Sequence, residues 1–218
     1  MQNIVFLTGA GISKESGLET FRDKNGHWNC HDVMEVASLE AWENDPEKVL
    51  DFYNQRRIEA NKAKPNKAHL AIAEFGGTII TQNVDLLHEK AGSTDVLHLH
   101  GKINEAYPYN QPDKVFEHNE DILLGNKKEG NQIRPNVVWF GEDVPNMIPA
   151  IEKISNADIL VIIGTSLQVY PAANLIDFVD DIVYLDPSEI PEAFQNRNIT
   201  HFKKTACEGI DEVLKMLK

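Results

Sequence analysis

The segment "DVLHLHG", Asp95 to Gly101, sets two histidines two residues apart immediately before a glycine. Alternate residues of a strand point the same way, so His98 and His100 are predicted on one face with Val96, and Leu97 and Leu99 on the other. That spacing fits packing, a catalytic base or a metal pair, and spacing alone leaves the three open. Metal chemistry has few other ligands to draw on. Cys30 and Cys207 are the only thiols, too few for a four-cysteine zinc site, and they stand too far apart to suggest a disulfide framework.

A second polar cluster lies in "TQNVDLLH", Thr81 to His88. Gln82, Asn83 and Asp85 offer amide donors, carbonyl acceptors and a carboxylate, a set suited to a carboxamide and ribose hydroxyls. Helix capping would explain Asn83 and Asp85 equally well. In "TGAGISKESG", Gly9 and Gly11 follow a predicted strand, where missing side chains let backbone N–H groups approach a diphosphate. Lys14 stands where the dehydrogenase fingerprint has its third glycine, so "GAG" alone reads as well as a plain tight turn. A similar turn, "GTS" at Gly164 to Ser166, ends another predicted strand. Two such turns at the carboxyl edge of one sheet would meet at a ligand crevice.

The elements that must position these groups alternate. "NIVFLT" and "TIITQN" read as strands, as does "DVLHLHG". The uninterrupted apolar run of "ADILVIIGTS" is what a parallel strand buried on both faces requires. Pro46 to Ala63 is predicted helical, with Asp45 as cap and Val49, Phe52 and Tyr53 at helical spacing. A second helix should follow Pro65, using Leu70, Ile72 and Phe75 and ending at Gly76 and Gly77. "DLLHEKAG" and "PAANLIDFV" read as helices, "DIVYLD" as a strand and "CEGIDEVLKMLK" as a terminal amphipathic helix. Strands alternating with helices imply an α/β, doubly wound parallel sheet. Residues 102–136 are polar, contain Pro108, Pro112 and Pro135, and read as a loop-like insertion. With residues 25–64 they would form a small lobe, leaving residues 1–24, 65–101 and 137–218 as the large lobe.

At 218 residues and 42% hydrophobic, the chain can fill the core of one sizeable domain. A net charge of −13 speaks against nucleic-acid binding, which needs a basic stripe. It would favour basic, lysine-containing partners. No apolar run approaches the ~20 residues of a membrane span, and "MQNIVFLTGAG" lacks the features of a signal peptide, so a cytoplasmic protein is expected.

Taken together and in order, "GAGISKESGLETFRD", "TQNVDLLHEKAG", "HLHG", "VVWFGE" and "IGTSLQVYPAANL" resemble the sirtuin family of NAD-dependent protein-lysine deacylases. The resemblance covers nearly the whole chain. It implies a Rossmann-like NAD-binding domain with a smaller lobe, and an acylated lysine of a protein substrate bound between them. By that resemblance His100 is the catalytic base, taking a ribose hydroxyl proton in its neutral form, whereas His98 matches no essential residue and is left to packing or support. Asn83 and Asp85 would orient the ribose and the nicotinamide carboxamide. Gly9, Ala10, Gly11, Ser13, Gln82, Gly164, Thr165 and Ser166 would contact the dinucleotide, with Asp186 and Ala206 on the adenosine side. Phe21 and Arg22 would belong to a cofactor loop, Phe21 shielding the reactive sugar carbon from water. "VVWFGE", as a bare sequence a buried strand, would by the resemblance be the substrate-binding strand, with Gly141 and Glu142 among the residues meeting the peptide, backbone groups pairing with it, and Val138 and Phe140 lining the acyl-lysine tunnel. The implied reaction expels nicotinamide and yields free lysine and O-acyl-ADP-ribose.

Two features qualify the resemblance. Most sirtuins hold the small lobe with two cysteine pairs around a structural zinc, but here that interval contains no cysteine, so zinc is not expected. Either packing of Tyr107, Tyr109, Phe116, Ile122, Leu123 and Leu124 holds the insertion instead, or the insertion is mobile. Tyr53 and Arg56 lie three residues apart on one helix face, a spacing that also suits a solvated surface. "FYNQRR" nevertheless resembles the tyrosine-x-x-arginine arrangement of sirtuins that remove succinyl, malonyl or glutaryl groups, where the pair binds the acyl carboxylate. Competing functions are ADP-ribosyl transfer, NAD hydrolysis and non-enzymatic sensing of NAD or ADP-ribose.

Overall fold

The computed structural model describes residues 2–20 and 33–218; Phe21, Arg22 and Cys30 lie outside the described residues. The first half of the chain runs β1 (Ile4–Thr8), α1 (Ala10–Lys14), α2 (Leu39–Asn44), α3 (Pro46–Lys62), α4 (Lys67–Phe75), β2 (Thr78–Thr81), α5 (Leu87–Lys90) and β3 (Val96–His98). It continues through β4 (Gly101–Pro108), β5 (Phe116–Glu117), β6 (Lys127–Lys128), β7 (Asn131–Val137), α6 (Met147–Ser155), β8 (Ile159–Ile163), β9 (Ile182–Leu185), β10 (Ile199–Phe202) and α7 (Ala206–Met216).

One sheet has the order β10-β9-β8-β1-β2-β3 and is parallel throughout. The doubly wound expectation holds, and the reason is visible in the burial. Along β1, Val5 and Leu7 enter one apolar cluster while Ile4 and Phe6 enter the cluster on the opposite face. In β8, Leu160 and Ile162 divide from Val161 and Ile163 in the same way. Each such side chain removed from water stabilises the fold by about 1.5–3 kcal/mol. The order runs outward in both directions from the adjacent pair β1 and β8, which is where a crevice opens at the carboxyl ends.

Helix α3 starts as its sequence dictates: the Asp45 carboxylate accepts from the Lys48 N–H at 3.1 Å, and Pro46 fills the first position. Its buried face carries Val49, Phe52 and Tyr53, with Asn54 and Arg57 buried beside them. Helix α4 ends at Gly76 as expected, but Leu70 points outward and Ala68, His69 and Ile72 take the core side.

Residues 102–136 depart from the loop expectation, because β5-β4-β7-β6 form a second, antiparallel sheet. Pro135 sits in β7 opposite Ala106, next to a register shift between Lys102 and Ala106 that accommodates a residue without an N–H. Ile122 and Tyr107 are buried as predicted, and Tyr109 and Phe116 pack against the same cluster, whereas Leu123 and Leu124 are exposed. Buried polar side chains complete the attachment. Asn54 of α3 donates to the Ile122 carbonyl and accepts from the Ile122 N–H, each at 2.9 Å. Arg57 donates to the Ile103 carbonyl of β4 at 2.9 Å and to the Asn54 side-chain oxygen at 2.9 Å.

Three further differences are local. "PAANLIDFV" winds as a 3-10 helix, Ala172–Phe178, rather than an α-helix. "VVWFGE" is not a strand beyond Val137; Phe140 makes a single parallel bridge to Ser38. Strand β3 stops at His98, so His100 stands in the turn before β4.

Candidate active site

The turns after β1 and β8 are locked to each other by backbone. Gly11 N–H donates to the Gly164 carbonyl at 2.8 Å, and a Cβ on Gly11 would sit 2.7 Å from Gly164 Cα. Gly164 itself adopts φ +65, a conformation glycine takes without a steric penalty. The glycines therefore serve loop-to-loop contact first, and the crevice is a product of that contact. Beside it opens a cleft of about 510 Å³.

On one side of the cleft lie Ala10, Gly11, Ser13, Gln82, Asn83 and Asp85. Asn83 is not a helix cap: its amide donates to the Gly9 carbonyl and the Ser13 hydroxyl, both at 3.1 Å. The Ser13 hydroxyl donates to the Asp85 carboxylate at 3.0 Å. The other Asp85 oxygen accepts from the Leu87 N–H at 3.0 Å, while the residue at the N-cap of α5 is Leu86, which caps with no side chain. Burial pushes the Asp85 carboxyl up, and hydrogen bonds from Leu87 and Ser13 oppose that shift. Gln82 donates to the Thr165 hydroxyl at 3.1 Å, tying the β2 turn to the β8 turn. Gly164, Thr165 and Ser166 line the cleft with Asp186 and Ala206 at its far end, where the Asp186 carboxylate accepts from the Ser188 N–H.

The two histidines separate. His98 is buried with its ring nitrogens facing the Asn83 carbonyl at 2.9 Å and Glu89 Oε1 at 2.8 Å. Both are acceptors, so the ring bridges the Asn83 turn to α5 rather than facing the cleft. Burial pushes the Glu89 carboxyl up, yet the hydrogen bond and charge of His98 together outweigh it and leave the group below its ordinary range. His100 lines the cleft. Its Nδ1 lies 3.0 Å from the Gln82 carbonyl, an acceptor, which assigns the proton to Nδ1 and the free lone pair to Nε2. Burial pushes the His100 pKa below its ordinary value, so the ring is neutral at physiological pH.

The opposite wall carries Tyr53, Arg56, Val138, Phe140, Gly141 and Glu142. Burial raises the Tyr53 hydroxyl far above its usual range, keeping it a neutral donor. Glu142 lines the wall with its oxygens already engaged: Arg134 donates to them at 2.5 and 3.1 Å, and the Trp139 N–H donates at 2.8 Å. Sequence reasoning missed Arg134 and Trp139. The Arg134 guanidinium is 1% exposed and stacks 3.3 Å from the Trp139 ring centroid, fixing the segment from Val137 to Glu142. A charged residue inside the apolar context "IRPNVVW" was the available signal. Phe21 and Arg22 fall outside the described residues. Among the described residues no group of three or more histidine, cysteine, aspartate or glutamate side chains could hold a metal ion, and no helix is long and apolar enough to cross a membrane.

A parallel sheet with a crevice at its switch point, walled by a polar turn cluster and a neutral histidine, defines a dinucleotide-binding class of protein. The family model described as the Sir2 family matches residues 9–171. A Helicobacter pylori protein named NAD-dependent protein deacylase is 46% identical, covering 100% of this chain and 98% of its own. A protein of the same name from Bacteroides thetaiotaomicron is 43% identical over 100% and 98%. A solved Sir2 homologue in complex with NAD superposes with a TM-score of 0.89 at 37% identity, covering 99% of this chain and 89% of that one. A Sir2 structure holding a deacetylated p53 peptide and 3′-O-acetyl ADP-ribose superposes with a TM-score of 0.84 at 31% identity, covering 98% and 93%. The chain belongs to the Sir2 family.

Proposed function

We propose that the protein is an NAD-dependent protein-lysine deacylase that accepts acidic acyl groups, succinyl and malonyl, as well as acetyl. The donor set fits NAD. Gly9, Ala10, Gly11, Gly164, Thr165 and Ser166 would hold the diphosphate and neighbouring ribose, Asp186 and Ala206 the adenosine side, and Gln82, Asn83, Ser13 and Asp85 the nicotinamide half. When bound, NAD supplies an electrophilic ribose carbon to the acyl oxygen as nicotinamide leaves. His100 Nε2 takes the proton of a ribose hydroxyl, while the Gln82 carbonyl stabilises the positive charge that develops on the ring through Nδ1. Asn83 and Asp85 orient rather than transfer protons, because both are held by Ser13 and the backbone. With one water consumed as the amide nitrogen is released, the products would be free lysine, nicotinamide and O-acyl-ADP-ribose.

The observation that carries this reading is the imidazole of His100, oriented by the Gln82 carbonyl, in a cleft that Tyr53 and Arg56 also line. An acyl carboxylate entering that wall meets a guanidinium fork and a neutral phenol, the chemistry that recognises a carboxylate. The segment Val138 to Glu142, bridged to Ser38 through Phe140, would offer backbone groups to the substrate peptide. We also read residues 25–64 and 102–136 as the small lobe and the remainder as the NAD lobe; an apolar cluster of Val36, Trp42, Phe52, Ile103 and Ile122 supports this division, and Val137 and Trp139 extend the cluster across its boundary.

The test is a panel of acetyl-, succinyl-, malonyl- and glutaryl-lysine peptides with and without NAD, with products identified by mass. NAD-dependent O-acyl-ADP-ribose is expected. ADP-ribosylated peptide, or ADP-ribose alone, would replace deacylation with transfer or hydrolysis. Arg56→Met should lower kcat/KM for succinyl-lysine about ten- to hundredfold, the loss of a charge-assisted hydrogen bond, and barely change acetyl-lysine. Equal losses would make Arg56 a structural residue.

A further inference from the structure

We infer that Glu59 sets how strongly the cleft prefers acidic over neutral acyl groups, by sharing the charge of Arg56. The inference rests on the acidic-acyl reading above and concerns a residue outside the cleft lining.

Arg56 and Glu59 are three residues apart on α3, where side chains of that spacing meet on one face. Arg56 Nη1 lies 3.6 Å from Glu59 Oε2. That is an ion pair beyond hydrogen-bond distance, so the attraction between these two groups is Coulombic. The two side chains are 16% and 34% exposed. Tyr53, Arg56 and Ala60 line the cleft, whereas Glu59 does not, so the arginine stands between the cleft and the glutamate.

An acyl carboxylate reaching Arg56 from the cleft would share one positive charge with a second carboxylate behind it. Part of the guanidinium's attraction is then offset, because the incoming anion also feels the repulsion of Glu59 beside it. A neutral acetyl group meets neither effect. Glu59 is therefore a built-in attenuator: it lowers the preference for acidic acyl groups and leaves neutral ones alone. The pair contributes little to the helix, because it makes no hydrogen bond at 3.6 Å and the arginine-before-glutamate order is the less favourable one. Replacing the charge should leave the fold intact.

The experiment measures kcat and KM with succinyl-lysine and acetyl-lysine peptides at saturating NAD for the parent protein, Glu59→Gln, Arg56→Met and the double variant. Glu59→Gln should lower KM for succinyl-lysine about two- to fivefold, the range of a weak, partly screened ion pair. Its kcat, both acetyl-lysine constants and the thermal midpoint should not move, and the gain should vanish in the Arg56→Met background. A higher or unchanged succinyl KM would overturn the inference, making Glu59 a residue that merely orients Arg56 or does nothing. An equal gain on both acyl groups, or a gain that survives Arg56→Met, would overturn it as well. If Arg56→Met alone leaves the succinyl-to-acetyl ratio untouched, the acidic-acyl reading fails first and the inference falls with it.

Discussion

The two walls of the cleft are held in place by different forces. On the dinucleotide side, position comes from backbone: parallel strands buried on both faces bring the β1 and β8 turns to one edge, and Gly11 meets Gly164 with no room for a side chain. On the side that carries Tyr53 and Arg56, position comes from polar side chains sunk into a smaller core. Asn54 and Arg57 bolt α3 to Ile122 and Ile103, while Arg134 bolts Glu142 and Trp139. Where strands are long and apolar, burial suffices. Where a sheet is small, buried hydrogen bonds replace missing apolar area, and each of their groups is costly to strand. The first wall should therefore fail by steric intrusion, and the second by loss of a partner.

The most damaging change should be on the backbone-built wall. A Cβ on Gly164 would lie 2.3 Å from the Ile12 nitrogen, and φ +65 is left-handed. Gly164→Val should cost more than about 4 kcal/mol and leave little soluble, NAD-binding protein, as circular dichroism and NAD titration would read. A folded variant that still binds NAD would show that the β1–β8 contact is not what builds the crevice.

Next in size is the polar bolt. Asn54→Ala strands both backbone groups of Ile122 and one Arg57 donor, so a loss of about 2–4 kcal/mol is expected in chemical denaturation. Deacylation should weaken while NAD affinity of the folded fraction holds. If NAD affinity fell in step, the two walls would be one cooperative unit.

A smaller effect separates the walls by pH. His69 and His88 sit beneath the dinucleotide side, with Thr8 Oγ1 3.0 Å from His88 Nε2. Burial lowers His69 to about 4, and burial together with the charge of His69 lowers His88 to about 3. Both fall below the unfolded value of about 6.5, so the unfolded chain binds more protons as pH drops. Their contribution is complete above about pH 6.5 and shrinks as pH falls toward the folded values, by about 2 kcal/mol each at pH 5. Denaturation midpoints from pH 7.5 to 5 should decline accordingly, and His88→Asn should flatten part of the slope. A profile as steep in that variant would assign the acid sensitivity elsewhere.

The same division governs what was legible in the sequence. Strands β1 and β8, the Asp45-capped helix and the terminal helix announce themselves through local pattern, because their causes lie within a few residues. The antiparallel sheet does not. Strand β7 reads "NQIRPNV", and its pairing depends on Arg134 and on a register shift around Pro135 that only the folded partners reveal. Strand β10, half-exposed, and helix α6 also went unread. Leu70, Leu123 and Leu124 looked like core residues and face solvent, since a leucine's neighbours in space are not written in its neighbours in sequence. At the site, motif order gave the family, while spacing alone left His98 and His100 equivalent. Hydrogen bonding distinguishes them: one bridges Asn83 to Glu89, the other keeps a lone pair toward the cleft.

The central claim is that His100 is the base of an NAD-dependent deacylase, and His100→Ala tests it most directly. Isothermal titration of NAD alongside turnover of an acetyl-lysine peptide separates binding from chemistry. The expected result is NAD binding within a few-fold of the parent with deacylation reduced about 10²- to 10⁴-fold, the usual contribution of a positioned base. Deacylation by His100→Ala at the parent rate would contradict it.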